Sequence, residues 1–370
     1  MRARSTLAAV AALAITGCDG SPTGNVGSEP TGPVDPMTAM AASTSCSGRC
    51  SFVLNVSGAG QPEVFRVTED ARVQGRRDAA GAPSVFTWSK SGGTKTTTLG
   101  EPAPGAGGIA LNRNGWGQSV GHSEYRAVAW EPDGTGVYLR GPNQVQVIGV
   151  ATHINENSVI VGTGYLPGDN SDLPRAFRWH YQDGFQYLLP ANTRGEAFDM
   201  NSSGAVVGSL GKHFRGASSD WFLWTPANGF QDMGGGRGLA ISDNGHIAGY
   251  DGGGVNFLRT PQGETLALPG GYLAKDVNDW GEVVLVGNGI SAGTDGTCGS
   301  AVWYREYGLQ KLRSPVPDAP LCFPVSINSW GDVVGTVARE IVQEGQPKIF
   351  QHAAVVVWTW KNNAYRFVAQ

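Results

Sequence analysis

The chain carries one short sequence pattern seven times, and this repeat narrows the folds open to it more than any other feature. The pattern is an apolar residue, an asparagine, two residues, a glycine, one residue, two mostly aliphatic residues and a second glycine. Residues 200–208 are the most complete copy, and residues 327–335 match it. We call the asparagine position the anchor. It is occupied by Thr68, Asn114, Asn155, Asn201, Ser242, Asn278 and Asn328.

The first two copies match the pattern least well. Thr68 takes the place of the asparagine in the first. In the second, Ala110-Leu111-Asn112 is an alternative start with a two-residue insertion. The anchors are 36 to 50 residues apart, a spacing typical of propeller blades and too long for one coil of a β-solenoid.

Each copy predicts four short strands, which we call a to d. Strand a precedes the anchor, strand b follows the first glycine, strand c contains an aromatic residue as in Phe177-Arg178-Trp179, and strand d follows a second turn. Closing seven such units into a ring removes the exposed sheet edges that an open stack would leave. The sequence therefore predicts an all-β, seven-bladed β-propeller with almost no helix.

The best copies resemble the HAF-type extracellular repeat of bacteria. The likeness lies in the asparagine, glycine and Val-Val-Gly of residues 200–208 and in the later Ala176-Phe177-Arg178-Trp179, and it extends over about residues 60–370. It implies an exported repeat protein and brings no chemistry with it. Arg259, where the other units have the aromatic residue of strand c, departs from the pattern.

The N-terminus predicts export. Arg2 and Arg4 precede an apolar segment, residues 7–15, that is too short to span a bilayer. Ile15-Thr16-Gly17-Cys18 resembles the lipobox of bacterial lipoproteins, which implies cleavage before Cys18 and acylation of that residue. The alternative is an ordinary secretory signal with an incidental cysteine.

These features divide the chain into three segments. Residues 1–17 are the predicted signal peptide, residues 18–45 a flexible tether rich in Gly, Ser, Pro and Thr, and residues 46–370 the propeller. The expected location is the bacterial envelope: the outer membrane, the cell surface or the periplasmic face.

Four cysteines remain once Cys18 is set aside. In an exported chain an even number favours disulfides, so we expect Cys46 to pair with Cys50 across a short loop and Cys298 to pair with Cys322. Cys46 and Cys50 as a metal pair is the alternative, although no further ligands lie nearby in the sequence. We expect neither a metal nor a cofactor.

The anchor and first glycine are best explained by turn chemistry, since an asparagine side chain bonds its own backbone and glycine accepts a positive φ. Apolar residues one and three positions before the anchor, with small residues four before, predict a strand with one bulky and one small face. The position two before the anchor, which we call the ring position, is polar in six copies. Its residues are Arg66, Asn112, His153, Asp199, Asp276 and Ser326, with Ala240 as the exception.

Two sets of residues are candidates for binding. If strand a is innermost, the six polar ring residues surround a central channel; the alternative is that they bond the backbone of neighbouring blades. Trp116, Trp280 and Trp330 lie two residues after their anchors, at turn tips. They are expected on one exposed arc suited to a sugar or a protein surface, unless each indole folds over a neighbouring loop.

The net charge of −4 implies no basic face, so nucleic-acid binding is not expected. The leading prediction is a monomeric, lipid-anchored module that binds a protein or glycan partner without catalysis. The alternative is a propeller enzyme that acts on glycans as a lyase or hydrolase, with His153, Asp199 and Asp276 converging at the channel mouth. A purely structural envelope component is the third possibility.

Overall fold

In a computed structural model of the protein, the described residues are 17–18, 49–54, 62–77, 83–103, 105, 107–169, 173–211, 220–287, 297–341 and 349–360. Almost all of them lie in β-strands or the turns between them, and a single 3₁₀ turn, Pro142–Gln144, interrupts them. The prediction of an all-β propeller is confirmed. Within the described part of the chain, no helix has the length and apolar character needed to cross a membrane.

The strands group by their pairing into seven antiparallel meanders, here called blades. Blade 1 comprises β3 (Pro62–Val67), β4 (Val73–Arg77), β5 (Ser84–Ser89) and β6 (Gly93–Thr98). Blade 2 comprises β7 (Ile109–Arg113), β8 (Ser119–Ser123), β9 (Arg126–Trp130) and β10 (Gly136–Tyr138). Blade 3 comprises β11 (Ile148–Ile154), β12 (Ile160–Tyr165), β13 (Arg175–His180) and β14 (Gly184–Tyr187). Blades 4 and 5 comprise β15 (Gly195–Met200), β16 (Val206–Leu210), β17 (Asp220–Thr225), β18 (Gly229–Ile241), β19 (Ile247–Asp251), β20 (Asn256–Arg259) and β21 (Thr265–Ala267). Blades 6 and 7 comprise β22 (Tyr272–Val277), β23 (Val283–Gly287), β24 (Thr297–Tyr304), β25 (Gly308–Arg313); and β26 (Leu321–Ile327), β27 (Val333–Ile341), β28 (Ile349–Trp360) with β2 (Arg49–Leu54).

Hydrogen bonding merges the seven meanders into five sheets. Strand β18 serves two blades, since its first half pairs with β17 and its second half with β19. A single pairing of Ile148 with Arg126 joins β11 to β9. These links connect neighbouring blades without changing the order of strands inside each meander.

The ring is closed by the N-terminal segment. Strand β2 pairs antiparallel with β28 and supplies the fourth strand of blade 7, and the two-residue strand β1 (Gly17–Cys18) pairs with β2. On the inner side, the Asn328 side chain donates a hydrogen bond to the Thr68 carbonyl over 3.1 Å, which joins blade 7 to blade 1. The sequence did not indicate that the fourth strand of the last blade lies before the first one.

The second glycine of the motif makes room for an aromatic ring on the next strand. Gly75, Gly162 and Gly208 lie opposite Phe86, Phe177 and Phe222, and a methyl group on each glycine would come within 2.8 Å of the ring. All three rings are fully buried. In blade 6 the sizes are exchanged, because Leu285 pairs with Ala301. The substitution of this glycine in the sixth copy is therefore compensated across the sheet.

Every innermost strand contains a β-bulge between the residues four and two before the anchor. The extra residue, three before the anchor, is therefore out of step with the pleat. The residue one before the anchor is buried in all seven blades, whereas the bulge residue is only partly buried and Lys275 is exposed. The predicted simple alternation, with both positions on one bulky face, is wrong for this reason.

The Cys298–Cys322 disulfide is confirmed. It links β24 of blade 6 to β26 of blade 7 with a Cα–Cα distance of 5.3 Å, and both residues are fully buried. Cys46 and the side chain of Cys50 lie outside the described residues, as do the signal peptide and the tether apart from the backbone of Gly17–Cys18. The Cys46–Cys50 pair and acylation of Cys18 stay predictions.

Candidate active site at the channel mouth

The seven a–b turns share one conformation. Each has five residues starting at the anchor, whose N–H donates to the carbonyl of the fourth residue after it. The third residue after the anchor has a positive φ in every blade, including Ala71 at 56° and Ser158 at 58°. The anchor side-chain oxygen accepts the N–H of the fourth residue in all seven turns. Turn chemistry thus accounts for the anchor, and the second copy begins at Asn114 rather than at Ala110-Leu111-Asn112.

The anchor asparagine also ties each blade to the next, which the sequence analysis did not foresee. The Nδ2 groups of Asn114, Asn155, Asn201, Asn278 and Asn328 donate to the anchor carbonyl of the following blade over 2.9–3.2 Å. Blade 1 has a threonine anchor, and there Gln74 Nε2 makes the equivalent bond to Asn114 O at 3.0 Å. The residues that follow the anchors are therefore held together around the centre of the ring.

The ring residues lie on the innermost strands just before these turns, so they line the mouth of the channel on the a–b side. Three of them accept backbone N–H groups of the next blade. Asp199 Oδ2 accepts from Ile241 N at 2.8 Å, Asp276 Oδ2 from Ile327 N at 2.8 Å, and Ser326 Oγ from Val67 N at 3.4 Å. For these three residues the alternative interpretation, bonding to the neighbouring backbone, describes the contacts that are present.

His153 and Asp199 form a direct pair across blades 3 and 4. His153 Nδ1 lies 3.1 Å from Asp199 Oδ1, and the side chains are 19% and 16% exposed. Asn112 Nδ2 approaches the same imidazole nitrogen at 3.4 Å. Asp199 is fixed on both oxygens, since Met200 N also donates to Oδ1 at 2.8 Å. The ring thus brings three of the predicted residues into one chain of contacts.

Burial controls the protonation of this group. Desolvation raises the pKa of the Asp199 carboxyl to about 7, although two backbone N–H groups and Arg66 oppose the rise. Desolvation lowers the pKa of the His153 imidazole to about 3, and the charge of Arg66 lowers it further. At neutral pH the imidazole is therefore uncharged, and the carboxyl exchanges its proton readily. A proton shared between Oδ1 and Nδ1 satisfies both atoms.

Asp276 is the second acidic group of the ring. Burial raises its pKa to about 7, and the charge of Asp199 adds to the rise. Blade 5 lies between the blades of these two aspartates and contributes Ala240, which is the small ring residue and is buried. The carboxyl groups of Asp199 and Asp276, which both titrate near neutrality, thus lie on either side of the small, apolar side chain of Ala240. Asp276 therefore interacts with the His153–Asp199 pair through the charge of Asp199 and not through a direct contact.

Arg66 reaches across the mouth from blade 1 to blade 3. Its guanidinium NH2 donates to Glu156 Oε1 at 3.1 Å. Glu156 in turn accepts the backbone N–H of Gly115 at 2.8 Å. The charge of Arg66 is therefore paired with Glu156 at the rim of the channel. From there it lowers the pKa of both His153 and Asp199.

The three tryptophans lie on the same a–b face. The indole Nε1 of Trp116 donates to Glu156 O, that of Trp280 to Ser329 O and that of Trp330 to Glu69 O, over 2.8–3.0 Å. Each indole therefore folds over the turn of the next blade, as the alternative interpretation held. Trp116 is nevertheless 72% exposed and Trp280 50% exposed, while Trp330 is only partly exposed.

Four acidic residues at the turn tips were missed by sequence reasoning. They directly follow their anchors and are Glu69, Glu156, Asp243 and Asp279; we call them the tip acids. Each accepts a backbone N–H from the turn of the preceding blade. The signal was available, since four of seven copies carry an acid at this position.

The remaining candidates lie elsewhere. Asp169, the first residue of the acidic stretch 169–172, contacts Arg175, and residues 170–172 lie outside the described part. A pocket of about 90 Å³ between blades 3 and 4 is lined by Asn157, Arg178, Trp224 and neighbouring turn residues, and no ring residue lines it. Among the described residues, no three His, Cys, Asp or Glu side chains are arranged to hold a metal ion.

No protein-family profile and no curated protein matches this chain in sequence, so the HAF-type resemblance stays a prediction. Solved structures match its fold. A streptogramin B lyase aligns with a TM-score of 0.51 at 12% identity over 85% of this chain and 98% of its own. Virginiamycin B lyase from Staphylococcus aureus gives 0.51 at 12% identity over 84% and 98%. A puromycin hydrolase gives 0.50 at 15% identity over 77% of this chain and 51% of its own.

These comparisons correct the leading functional prediction. A binding module without catalysis was expected, but the solved structures that share the propeller fold are named as a lyase and a hydrolase. The enzymatic alternative, with catalytic groups at the channel mouth, takes the place of that prediction. At such identities the likeness establishes the fold alone.

Proposed function

We propose that the protein is a propeller enzyme that cleaves glycans at the channel mouth by acid–base catalysis. The observation that carries the proposal is the 3.1 Å contact of His153 Nδ1 with Asp199 Oδ1, set in a polar ring beside a second acid, Asp276. Groups whose pKa lies near the working pH are efficient proton donors and acceptors. Asp199 and Asp276 both meet this condition.

The two carboxyl groups divide the chemistry between them. In hydrolysis, the protonated acid gives its proton to the glycosidic oxygen as the C–O bond breaks, while the ionised acid takes a proton from the attacking water. In elimination, the ionised acid removes the C–H proton next to the carboxyl group of a uronic-acid unit, a C=C bond forms, the C–O bond breaks, and the protonated acid gives its proton to the leaving oxygen. His153, neutral at pH 7, is a positioning residue that holds Asp199 Oδ1 through Nδ1. Both reaction types use the same three residues.

The exposed indoles support a glycan as the substrate. Trp116 and Trp280 present much of their surface on the face where the channel opens, and their Nε1 hydrogen bonds fix the orientation of each ring. Aromatic faces held in this way suit the apolar faces of sugar rings. The channel mouth and these indoles together form an acid–base centre with an aromatic approach surface.

We also propose that the enzyme is exported and lipid-anchored at the bacterial envelope. The support is the segment Ile15-Thr16-Gly17-Cys18 after a short apolar stretch and two arginines. Incorporation of labelled fatty acid into the wild type, and its loss in Cys18→Ala, tests this proposal. Labelling of Cys18→Ala at the wild-type level would overturn it.

Catalysis is tested with a panel of neutral, amino-bearing and acidic oligosaccharides. New reducing ends report any cleavage, and absorbance of an unsaturated product distinguishes elimination from hydrolysis. Asp199→Asn and Asp276→Asn are expected to lower kcat about 100-fold or more, because each removes a proton-transfer group. Retention of full activity by both variants, or no cleavage of any member of the panel, would contradict the proposal.

Thr152→Val is the matched control. Thr152 Oγ1 donates to Ala197 O at 3.1 Å, so valine removes an inter-blade hydrogen bond next to His153 without removing an acid. This variant is expected to keep wild-type kcat. The role of His153 is separated by a pH profile: His153→Asn is expected to shift the pH dependence of kcat, because the asparagine cannot share the Asp199 proton.

A further inference from the structure

The tip acids give the channel mouth a concentrated negative charge. Ser329 N donates to Glu69 at 2.9 Å, Ser202 N to Asp243 at 2.7 Å and Asn244 N to Asp279 at 2.9 Å, so the carboxyl groups are held at the turns. They are close enough to interact, since Asp279 and Asp243 add to the effect of burial in raising the pKa of Glu69. Like charges gathered in this way lower the electrostatic potential where a ligand would enter.

The cations of the inner strands do not neutralise this charge at the turn tips. Arg66 pairs with Glu156 at 3.1 Å, and Arg72, at the outer end of its turn, pairs with Asp70 at 2.8 Å. Lys275 and Arg237 lie on the inner strands three and five residues before their anchors, and the Arg237 guanidinium lies over the Phe198 ring. Glu69, Asp243 and Asp279 are held by backbone N–H groups and by the Ser329 hydroxyl, which lies 3.2 Å from both Glu69 Oε1 and Asp279 Oδ2, and among the described residues none of the three forms an ion pair with a cation.

Asn112 supplies an independent sign of a ligand at the mouth. It is 8% exposed, and its Oδ1 has no hydrogen-bond partner among the described residues. Its amide lies against His153, with Nδ2 at 3.4 Å from Nδ1. A buried acceptor left unpaired carries a free-energy cost that a donor from a ligand would remove. An ammonium or hydroxyl group provides such a donor.

We infer that the channel mouth recognises a glycan bearing free primary amino groups, in other words an oligosaccharide of unacetylated amino sugars. The inference rests on the proposed function and names its substrate class. The tip acids attract the ammonium groups. Trp116 and Trp280 lie in the same set of a–b turns as the tip acids, and an ammonium group is favoured over the exposed face of an indole. The same charges disfavour oligosaccharides of uronic acids.

Binding is measured by calorimetry with three ligands of equal length: glucosamine oligomers, N-acetylglucosamine oligomers and galacturonate oligomers. The glucosamine oligomers are expected to bind about tenfold or more tightly than the acetylated ones at low ionic strength, because each ammonium gains attraction to the carboxylates. The preference is expected to shrink as salt is added, since salt screens exposed charges. Equal affinities for the amino and acetylated oligomers at low salt would overturn the inference.

The triple variant Glu69→Gln/Asp243→Asn/Asp279→Asn removes three charges and keeps an oxygen for each backbone N–H. It is expected to lose most of the preference for glucosamine oligomers. The matched control is Glu306→Gln, an exposed acid on a c–d turn of the same face away from the channel, which should keep the preference. A triple variant that keeps the full preference would contradict the inference, and the salt dependence of the wild type stands as a test if that variant fails to fold.

These binding measurements are independent of catalysis. Preferential binding of glucosamine oligomers without cleavage of any glycan would support the inference and contradict the proposed catalysis. Cleavage of a neutral or acidic glycan without preference for the amino oligomers would contradict the inference and support the proposed catalysis.

Discussion

The side-chain amide of each anchor asparagine makes two kinds of hydrogen bond. Its oxygen closes the turn within the blade, and its nitrogen reaches the anchor carbonyl of the next blade. Ser242 in blade 5 can make only the first kind, through its hydroxyl to His246 N at 3.1 Å. The junction from blade 5 to blade 6 therefore lacks a bond that the asparagine-anchored junctions possess.

We expect Ser242→Asn to restore this bond. The asparagine Nδ2 would donate to the Asn278 carbonyl, and the free energy of unfolding should rise by about 0.5–1.5 kcal/mol, the net value of a buried hydrogen bond. The reciprocal control is Asn201→Ser, which loses the 3.1 Å bond to Ser242 O and should be destabilised. Urea unfolding of the three proteins measures both effects. A destabilised Ser242→Asn variant would show that blade 5 cannot accommodate the motif.

The acids of the ring make stability depend on pH. Because burial raises the pKa of Asp276 from its ordinary 3.8 to about 7, the native state holds a proton that the unfolded chain releases between these values. Its stabilising contribution is complete below about pH 4 and is lost as the pH rises through 7. His153 acts in the opposite sense, since its lowered pKa of about 3 gives a contribution that is lost as the pH falls below 6.5.

Asp276→Asn isolates one of these contributions. The variant keeps one oxygen for the two backbone N–H groups, of Val277 and Ile327, that Asp276 accepts, so it loses one of these hydrogen bonds at every pH, but it no longer titrates. The difference in free energy of unfolding between wild type and variant is therefore expected to be larger at pH 4 than at pH 8. Urea unfolding across this range measures it. A difference that stays constant with pH would show that the carboxyl of Asp276 is not perturbed by folding.

At the scale of the elements, blades differ in how they are joined. Blades 4 and 5 share the continuous strand β18, whereas blades 6 and 7 are connected by the buried Cys298–Cys322 bridge between β24 and β26. The bridge lies in a cluster with Val337, Val356 and Trp358, so it fixes the inner strand of blade 7 against the strand that follows the long b–c connection of blade 6.

Removing this disulfide should weaken the ring at one junction. Its cysteines are 24 residues apart, and the loss of that constraint on the unfolded chain is expected to cost about 3 kcal/mol. Cys298→Ala/Cys322→Ala should therefore show a clearly lower midpoint of denaturation than the oxidised wild type. Mass spectrometry under non-reducing conditions checks the bridge itself. Wild-type stability in the double variant would mean that the disulfide does not stabilise the junction between blades 6 and 7.

At the scale of the whole molecule, the ring is closed by hydrogen bonds between the two ends of the chain. Strand β2 pairs over its own whole length with residues 355–360 of β28, which include Val355, Val356 and Val357. Without it, β28 would be an exposed edge strand with a β-branched apolar sequence, which is a template for association.

Deletion of residues up to 54 is therefore expected to cause association and to lower the melting temperature. Size-exclusion chromatography with light scattering measures the first effect, and addition of a peptide spanning residues 49–54 should reverse it in part. The control deletion, which ends at residue 48, keeps β2 and should show neither the association nor the lower melting temperature. A truncated chain with unchanged size and melting temperature would mean that β2 contributes little to closure.

The sequence by itself determined what is local and repeated. The seven anchors predicted seven equivalent tight turns, and the apolar segments between them predicted the strands, because turn chemistry and strand alternation act over a few residues. The parity of the cysteines and the order of the strands were enough to predict the Cys298–Cys322 bridge. The polar ring was also visible in the sequence, as a property of one position in the repeat.

Only the tertiary structure decided how the repeats meet. The pairing of residues 49–54 with 355–360 joins segments about three hundred residues apart, and no local pattern specifies a contact at that separation. The contact of His153 with Asp199, and the reach of Arg66 to Glu156 over an intervening blade, depend on the curvature of the closed ring. The raised pKa values follow from burial at its centre. Closure of the ring brings the ring residues of different blades together and removes them from water. Their contacts and their shifted pKa values follow from that closure.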